Sequence, residues 1–218
     1  KARIQTFQYL AWGGNHEPIS DDELADLLRR ILSKEEGIGV VIEFLKMRFF
    51  ISTKESRNYA ENLLSVAREA LSAYSFPGGR KRHGGADFDL EQIASICLDG
   101  KEGAEAASQL CRHLSQAITE NAVFVFDYPG LLSALARTQP MVFLDEIVGN
   151  NDIKDYQRRR MFADGLERRS NPIDAISDDD LMSWCDRDPE SRYPLIASMI
   201  QSFSKTEKED KLEWKKIV

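Results

Sequence analysis

No stretch of this chain is apolar for long enough to cross a bilayer: the longest mainly apolar run, 38–51, is broken by Glu43, Lys46 and Arg48. An excess of positive charge is missing too, since 36 acidic residues outnumber 29 basic ones for a net charge of -7. That balance argues against broad nucleic-acid binding driven by phosphate neutralisation, though a local basic patch stays open. Cysteine is scarce. Cys97, Cys111 and Cys185 are odd in number, widely spaced and set in helical apolar patterns, so they suggest no disulfide framework and point to a reducing, cytoplasmic setting. His16, His83 and His113 each lack a ligand neighbour at zinc spacing, and Cys111-Arg112-His113 is too tight for the usual pair. The chain also has no Gly-x-x-x-x-Gly-Lys-Ser/Thr loop, no Gly-x-Ser-x-Gly elbow and no His-Glu-x-x-His helix. The expectation is therefore a non-enzyme without a cofactor or metal, with an enzyme whose site is not visible in the sequence as the last-ranked alternative.

What the chain does have is a repeated helix start. Ile19-Ser20-Asp21-Asp22-Glu23-Leu24 returns 157 positions later as Ile176-Ser177-Asp178-Asp179-Asp180-Leu181. In each copy Ser can cap a helix, the acids sit where the helix dipole favours them, and Leu opens an apolar stripe. A looser third copy reads from Asp89-Leu90 through Ile93 and Cys97, with Gly103 as far beyond Leu90 as Gly37 is beyond Leu24. The unit is a helical hairpin.

Apolar spacing of three and four extends this along the chain. The pattern predicts a helix ending at Gly13-Gly14, then 20–33 paired with 36–50, with Val40, Val41, Phe44, Leu45 and Phe49 on the second stripe. A longer helix covers 57–74, and 90–98 pairs with 101–119. Beyond these, helices cover 129–137, 140–148 and 152–165, 178–186 pairs with 190–203, and a last helix starts near Lys205. The run 122–126 has strand composition but no partner, and reads as an extended linker or a buried helix start. The organisation expected is N-terminal hairpins at 1–76, a flexible basic Gly-rich loop at 77–88, middle hairpins at 89–170, and a C-terminal hairpin with the start of a further repeat at 171–218. Opening without Met and stopping in mid-pattern, the chain reads as one continuous repeat domain cut from a larger protein.

Hairpin starts at 20, 89 and 177 are irregularly spaced, which disfavours tetratricopeptide or ankyrin arrays. The fold class expected is all-α, an irregular α-solenoid of stacked hairpins. Over 171–218, the Ser-capped unit at Ile176, with Trp184-Cys185, Arg192-Tyr193-Pro194-Leu195-Ile196-Ala197 and Leu212-Glu213-Trp214, resembles the irregular HEAT-like repeats in large bacterial multidomain proteins. Some of those carry nucleotide-hydrolysing or effector domains and act in signalling or anti-phage defence. The resemblance implies a module that binds a protein partner, or upstream domains of the same chain.

Two sets of residues are candidates for contact. Trp184, Arg192 and Tyr193 are residue types that dominate protein interfaces, although they also suit a core staple between paired helices. Arg80, Lys81 and Arg82 in the glycine loop, with Arg158, Arg159 and Arg160 after Tyr156, are the candidates for phosphate or nucleic acid. Consecutive arginines on a helix fan out by about 100° each, so a solvated face paired with acids is favoured for the second cluster. Four glycines and a proline around Arg80 exclude stable helix there. Limited trypsin digestion should accordingly cut first at Arg80, Lys81 or Arg82; resistance there while the helices are cut would mean a packed or ligated loop.

Overall fold

A computed structural model describes residues 19–34, 37–50, 58–77, 86–161 and 172–200. Among them every regular element is helical and no strand occurs. The α-helices are α1 (Asp21–Leu32), α2 (Gly37–Phe50), α3 (Glu61–Ser72), α4 (Ala86–Cys97), α5 (Ala104–Thr119) and α6 (Pro129–Thr138). They continue as α7 (Pro140–Phe143, running into a π turn at Leu144–Val148), α8 (Asp155–Met161), α9 (Asp178–Asp186) and α10 (Pro189–Ile200). The helices expected before residue 14 and after Lys205, and residues 78–85 of the basic loop, lie outside the described residues, while 86–88, expected in that loop, form the first turn of α4.

Both repeated helix starts form as their sequence dictates. The Ser20 hydroxyl accepts from the Glu23 amide at 3.3 Å while the Glu23 carboxylate accepts from the Ser20 amide at 3.2 Å, closing a capping box on α1. Ser177 accepts from the Asp180 amide at 3.1 Å and starts α9. Two of the four donors left over at a helix start are thereby bonded on α1, and one on α9.

Helices pack in two alternating rows. In one, α1 lies on α3, α3 on α5, α5 on α7, and α9 on the start of α7; in the other, α2 lies on α4, α4 on α6, and α6 on the 3₁₀ turn Pro172–Ala175. Several polar ties within the rows share a near-constant separation, whereas those from α5 to Glu146 on the π turn span only 31 to 38 residues. Asn62 donates to Asp22, Lys46 to Asp89, the Gly130 amide to Asp87, Arg137 to Ser95 and Gln139 to the Leu98 carbonyl, all 40 to 43 residues apart. α1 and α3, and likewise α4 and α6, are tied near both ends and run parallel and in register. The first-row helices begin at 21, 61, 104, 140 and 178, so the 157-residue echo in the sequence spans four steps along one row.

Three expectations change on this frame. The pairing of 90–98 with 101–119 is replaced, because α4 lies against α2, α3 and α6 while α5 lies against α3 and α7. A sharp corner causes it: Gly100 adopts φ +77°, and a Cβ on Gly103 would run into the Leu98 carbonyl, so the chain crosses to the other row. Gly37 plays the same part after α1, where a Cβ would meet the Ile31 carbonyl, but that corner crosses in the opposite sense. The loose third copy at Asp89 is thus no structural repeat of α1: Asp89 is the fourth residue of α4, in the second row. Val40, expected on the inner stripe of α2, is 39% exposed, because Val41, Phe44, Leu45 and Phe49 already fill the inward arc. The run at 122–126 is extended at Phe124 and then enters a 3₁₀ turn, Val125–Asp127.

One contiguous hydrophobic cluster runs from Leu24 to Met199. Its densest part is α6, where every residue from Gly130 to Ala136 is buried. A buried ion pair ties the first three helices: Arg48, 7% exposed, donates to Asp21 at 2.7 Å and to the Ile19 carbonyl at 3.1 Å, and the second Asp21 oxygen accepts the Ala60 amide at 3.0 Å. Asp21→Ala should cost about 3 kcal/mol, since it strands a buried guanidinium and a helix-start amide together. Urea denaturation checks it, with exposed Asp26→Ala, expected within about 0.5 kcal/mol, as the control.

Candidate functional site

Trp184, Arg192 and Tyr193 come together at the C-terminal end of the described chain. The apolar spacing of α9 turns Leu181, Trp184 and Cys185 inward, and Trp184 is fully buried. α10 begins with Pro189, whose missing N–H is no loss at a first position, and the Arg192 amide bonds the Asp188 carbonyl at 2.9 Å. Pro194 stands inside α10 on its exposed side. Arg192 then lies back over α9, its guanidinium carbon 4.3 Å from the centre of the Trp184 ring and its Nη1 donating to the Trp184 carbonyl at 2.8 Å. Tyr193 donates to Asp186 at 2.7 Å, and that bond holds its hydroxyl pKa above the usual phenol value.

A residue that composition and spacing did not single out organises this group. Asp145, on the π turn after α7, accepts the Trp184 indole N–H at 2.8 Å, Arg187 at 3.0 Å and Arg192 at 3.4 Å. The neighbouring Glu146 faces the other way, onto α5, accepting from Ser108 at 2.9 Å and Arg112 at 3.0 Å, while Ser115 donates to its backbone carbonyl at 2.7 Å. The wider π turn sends these consecutive acids to opposite neighbours. In the sequence, the one available signal was an acidic pair inserted between Phe143-Leu144 and Ile147-Val148.

The basic candidates are distributed differently. Arg80, Lys81 and Arg82 lie outside the described residues, as do the side chains of Arg159 and Arg160 on α8. Arg158, placed by sequence on a solvated face, is instead 6% exposed: it donates to the Ile153 carbonyl at 2.9 Å and approaches Asp155 at 3.9 Å. Its alkyl stem and head group are taken up by the turn before α8, which only tertiary structure could reveal.

The acidic starts of α1 and α9 act as helix caps, and among the described residues no group of three His, Cys, Asp or Glu side chains is placed to hold a metal ion. All three cysteines are buried. Burial pushes the Cys97 thiol up to about 12, against a smaller lowering by Arg68, and pushes Cys111 and Cys185 up as well. Such thiols are poor nucleophiles, because the thiolate is the reacting form. His113, exposed on α5, bonds the Tyr74 carbonyl at 3.0 Å and has no cysteine or carboxylate partner described. The geometry is one of helix-to-helix ties, with no arranged nucleophile and base among the described residues.

No family model, no curated protein and no solved structure matches this chain. The site is therefore read from its own geometry. Cys97 and Cys111 should resist alkylation in the native protein at mildly alkaline pH and react at once in denaturant, as peptide mass spectrometry after iodoacetamide treatment would record.

Proposed function

We propose that the chain is a non-catalytic helical-repeat module, an α-solenoid of HEAT type, whose work is to bind a protein partner. The observation that supports this most is the register of the rows: polar ties recur about one repeat length apart, from Asp22–Asn62 near one end to Asp145–Trp184, 39 residues apart, at the other. Each unit leans on its neighbours, and stacked units present long helix faces that suit recognition without reaction chemistry. The exposed apolar side chains Phe88, Tyr156 and Met182 sit on three different helices and offer contact points along such a surface. A nucleic-acid reading loses one of its residues, since Arg158 is spent on the interior.

The full chain, immobilised and exposed to nuclease-treated lysate at near-physiological salt, should retain discrete proteins. Phe88→Asp, Tyr156→Asp and Met182→Asp, combined, should reduce that retention while leaving the helical circular dichroism spectrum intact. Retention of nucleic acid in untreated lysate, with nothing held after nuclease treatment, would overturn the assignment.

A further inference from the structure

The α9–α10 hairpin is joined to the other described helices differently from the way they join one another. α4 and α6 pack on each other along their whole length, whereas α9 meets the body mainly at Pro140–Phe143 and α10 mainly at α8. Among the described residues, every hydrogen bond and ion pair from α9 and α10 to the rest of the chain ends on one carboxylate, that of Asp145. The remaining bonds of these helices close on themselves: Arg192 to the Trp184 carbonyl, Tyr193 to Asp186, Ser177 to Asp180. The hairpin is internally braced, shares the apolar core through Leu181, Trp184, Cys185, Ile196 and Met199, and has a single polar tether among the described residues. A second feature sits beside the tether. The Trp184 ring rests on Gly149, where a Cβ would come within 3.1 Å of its Cζ2 atom. Gly149 has an ordinary helical φ of -79°, so its backbone does not require glycine; a side chain there would press on the indole and, at 3.2 Å, on the Leu144 carbonyl.

We propose that α9 and α10 form a releasable unit, latched onto the body by Asp145 and by the seat of Trp184 on Gly149. With the latch closed, Leu181, Trp184 and Cys185 are buried. With it open, the same residues become a continuous apolar strip on α9 while the hairpin keeps its own caps and braces. Local opening of this kind, below the free energy of global unfolding, follows where a unit has few ties to its surroundings and many within itself. Arg187 and Asp145 are 48% and 37% exposed in their side chains, so salt reaches the tether and weakens it.

Cys185 reports on opening, and Cys97 and Cys111, buried on α4 and α5, report on everything else. The experiment is native-state labelling of the full chain with iodoacetamide, resolved by peptide, in the wild type, Asp145→Asn and Gly149→Val. In both variants Cys185 should label about ten- to a hundredfold faster, the range expected for losing a charge-assisted hydrogen bond or its buried partner, with Cys97 and Cys111 unchanged. Raising salt should speed Cys185 in the wild type and have less effect in Asp145→Asn. Arg187→Gln, a milder lesion on an exposed side chain, should shift Cys185 in the same direction if either variant folds poorly. Equal acceleration of all three cysteines, acceleration in only one of the two principal variants, or none in either overturns the latch.

Discussion

A helix start leaves amide donors that no backbone carbonyl of the helix itself can bond, and at two helix starts in this molecule a carboxylate from the helix two steps earlier takes part of that load. Asp21 on α1 accepts the Ala60 amide at the start of α3, and Asp87 on α4 accepts the Gly130 and Leu131 amides at the start of α6. The negative charge also meets the positive end of the second helix dipole, so one side chain both bonds and neutralises. Because the acid sits near its own helix start, the two helices must run parallel with their beginnings level. The register of α3 on α1 and of α6 on α4 depends on that condition.

The same logic changes currency at the end of the second half. Asp145 lies 39 residues before Trp184, the same spacing as Asp21 before Ala60, yet it accepts an indole N–H and two guanidinium groups in place of backbone amides. A capping tie made by backbone is always available once the helix forms. A tie made by three side chains needs each of them in one rotamer, and it is exposed to competing ions.

Capping was legible in the sequence because it is local: Ser20 and Glu23, or Ser177 and Asp180, lie within one turn, and their chemistry allows little else. Helix faces were legible for the same reason, and Leu24, Leu63, Leu90, Ile93, Leu110 and Leu114 all point inward as their spacing requires. Register was not legible, since it is decided by which of many acids reaches which amide about forty residues away. Nor was the burial of Arg48 and Arg158, because the partners that make it tolerable, Asp21 and the Ile153 carbonyl, are distant or conformational. At the candidate site, Trp184, Arg192 and Tyr193 were visible as residue types, while Asp145, which gathers two of them, carried no signal of its own. α6 shows the limit of the repeat picture: an open two-row stack leaves each helix an outer face in solvent, yet Gly130 to Ala136 are buried all round.

The offset shared by the α1–α3 and α4–α6 ties also bears on which deletions the packing tolerates. Taking out one tie spacing leaves the next helix on the row it already occupied, where an acid such as Asp21 or Asp87 stands level with a helix start. Taking out half of it moves that helix to the other row, beside partners it does not have now.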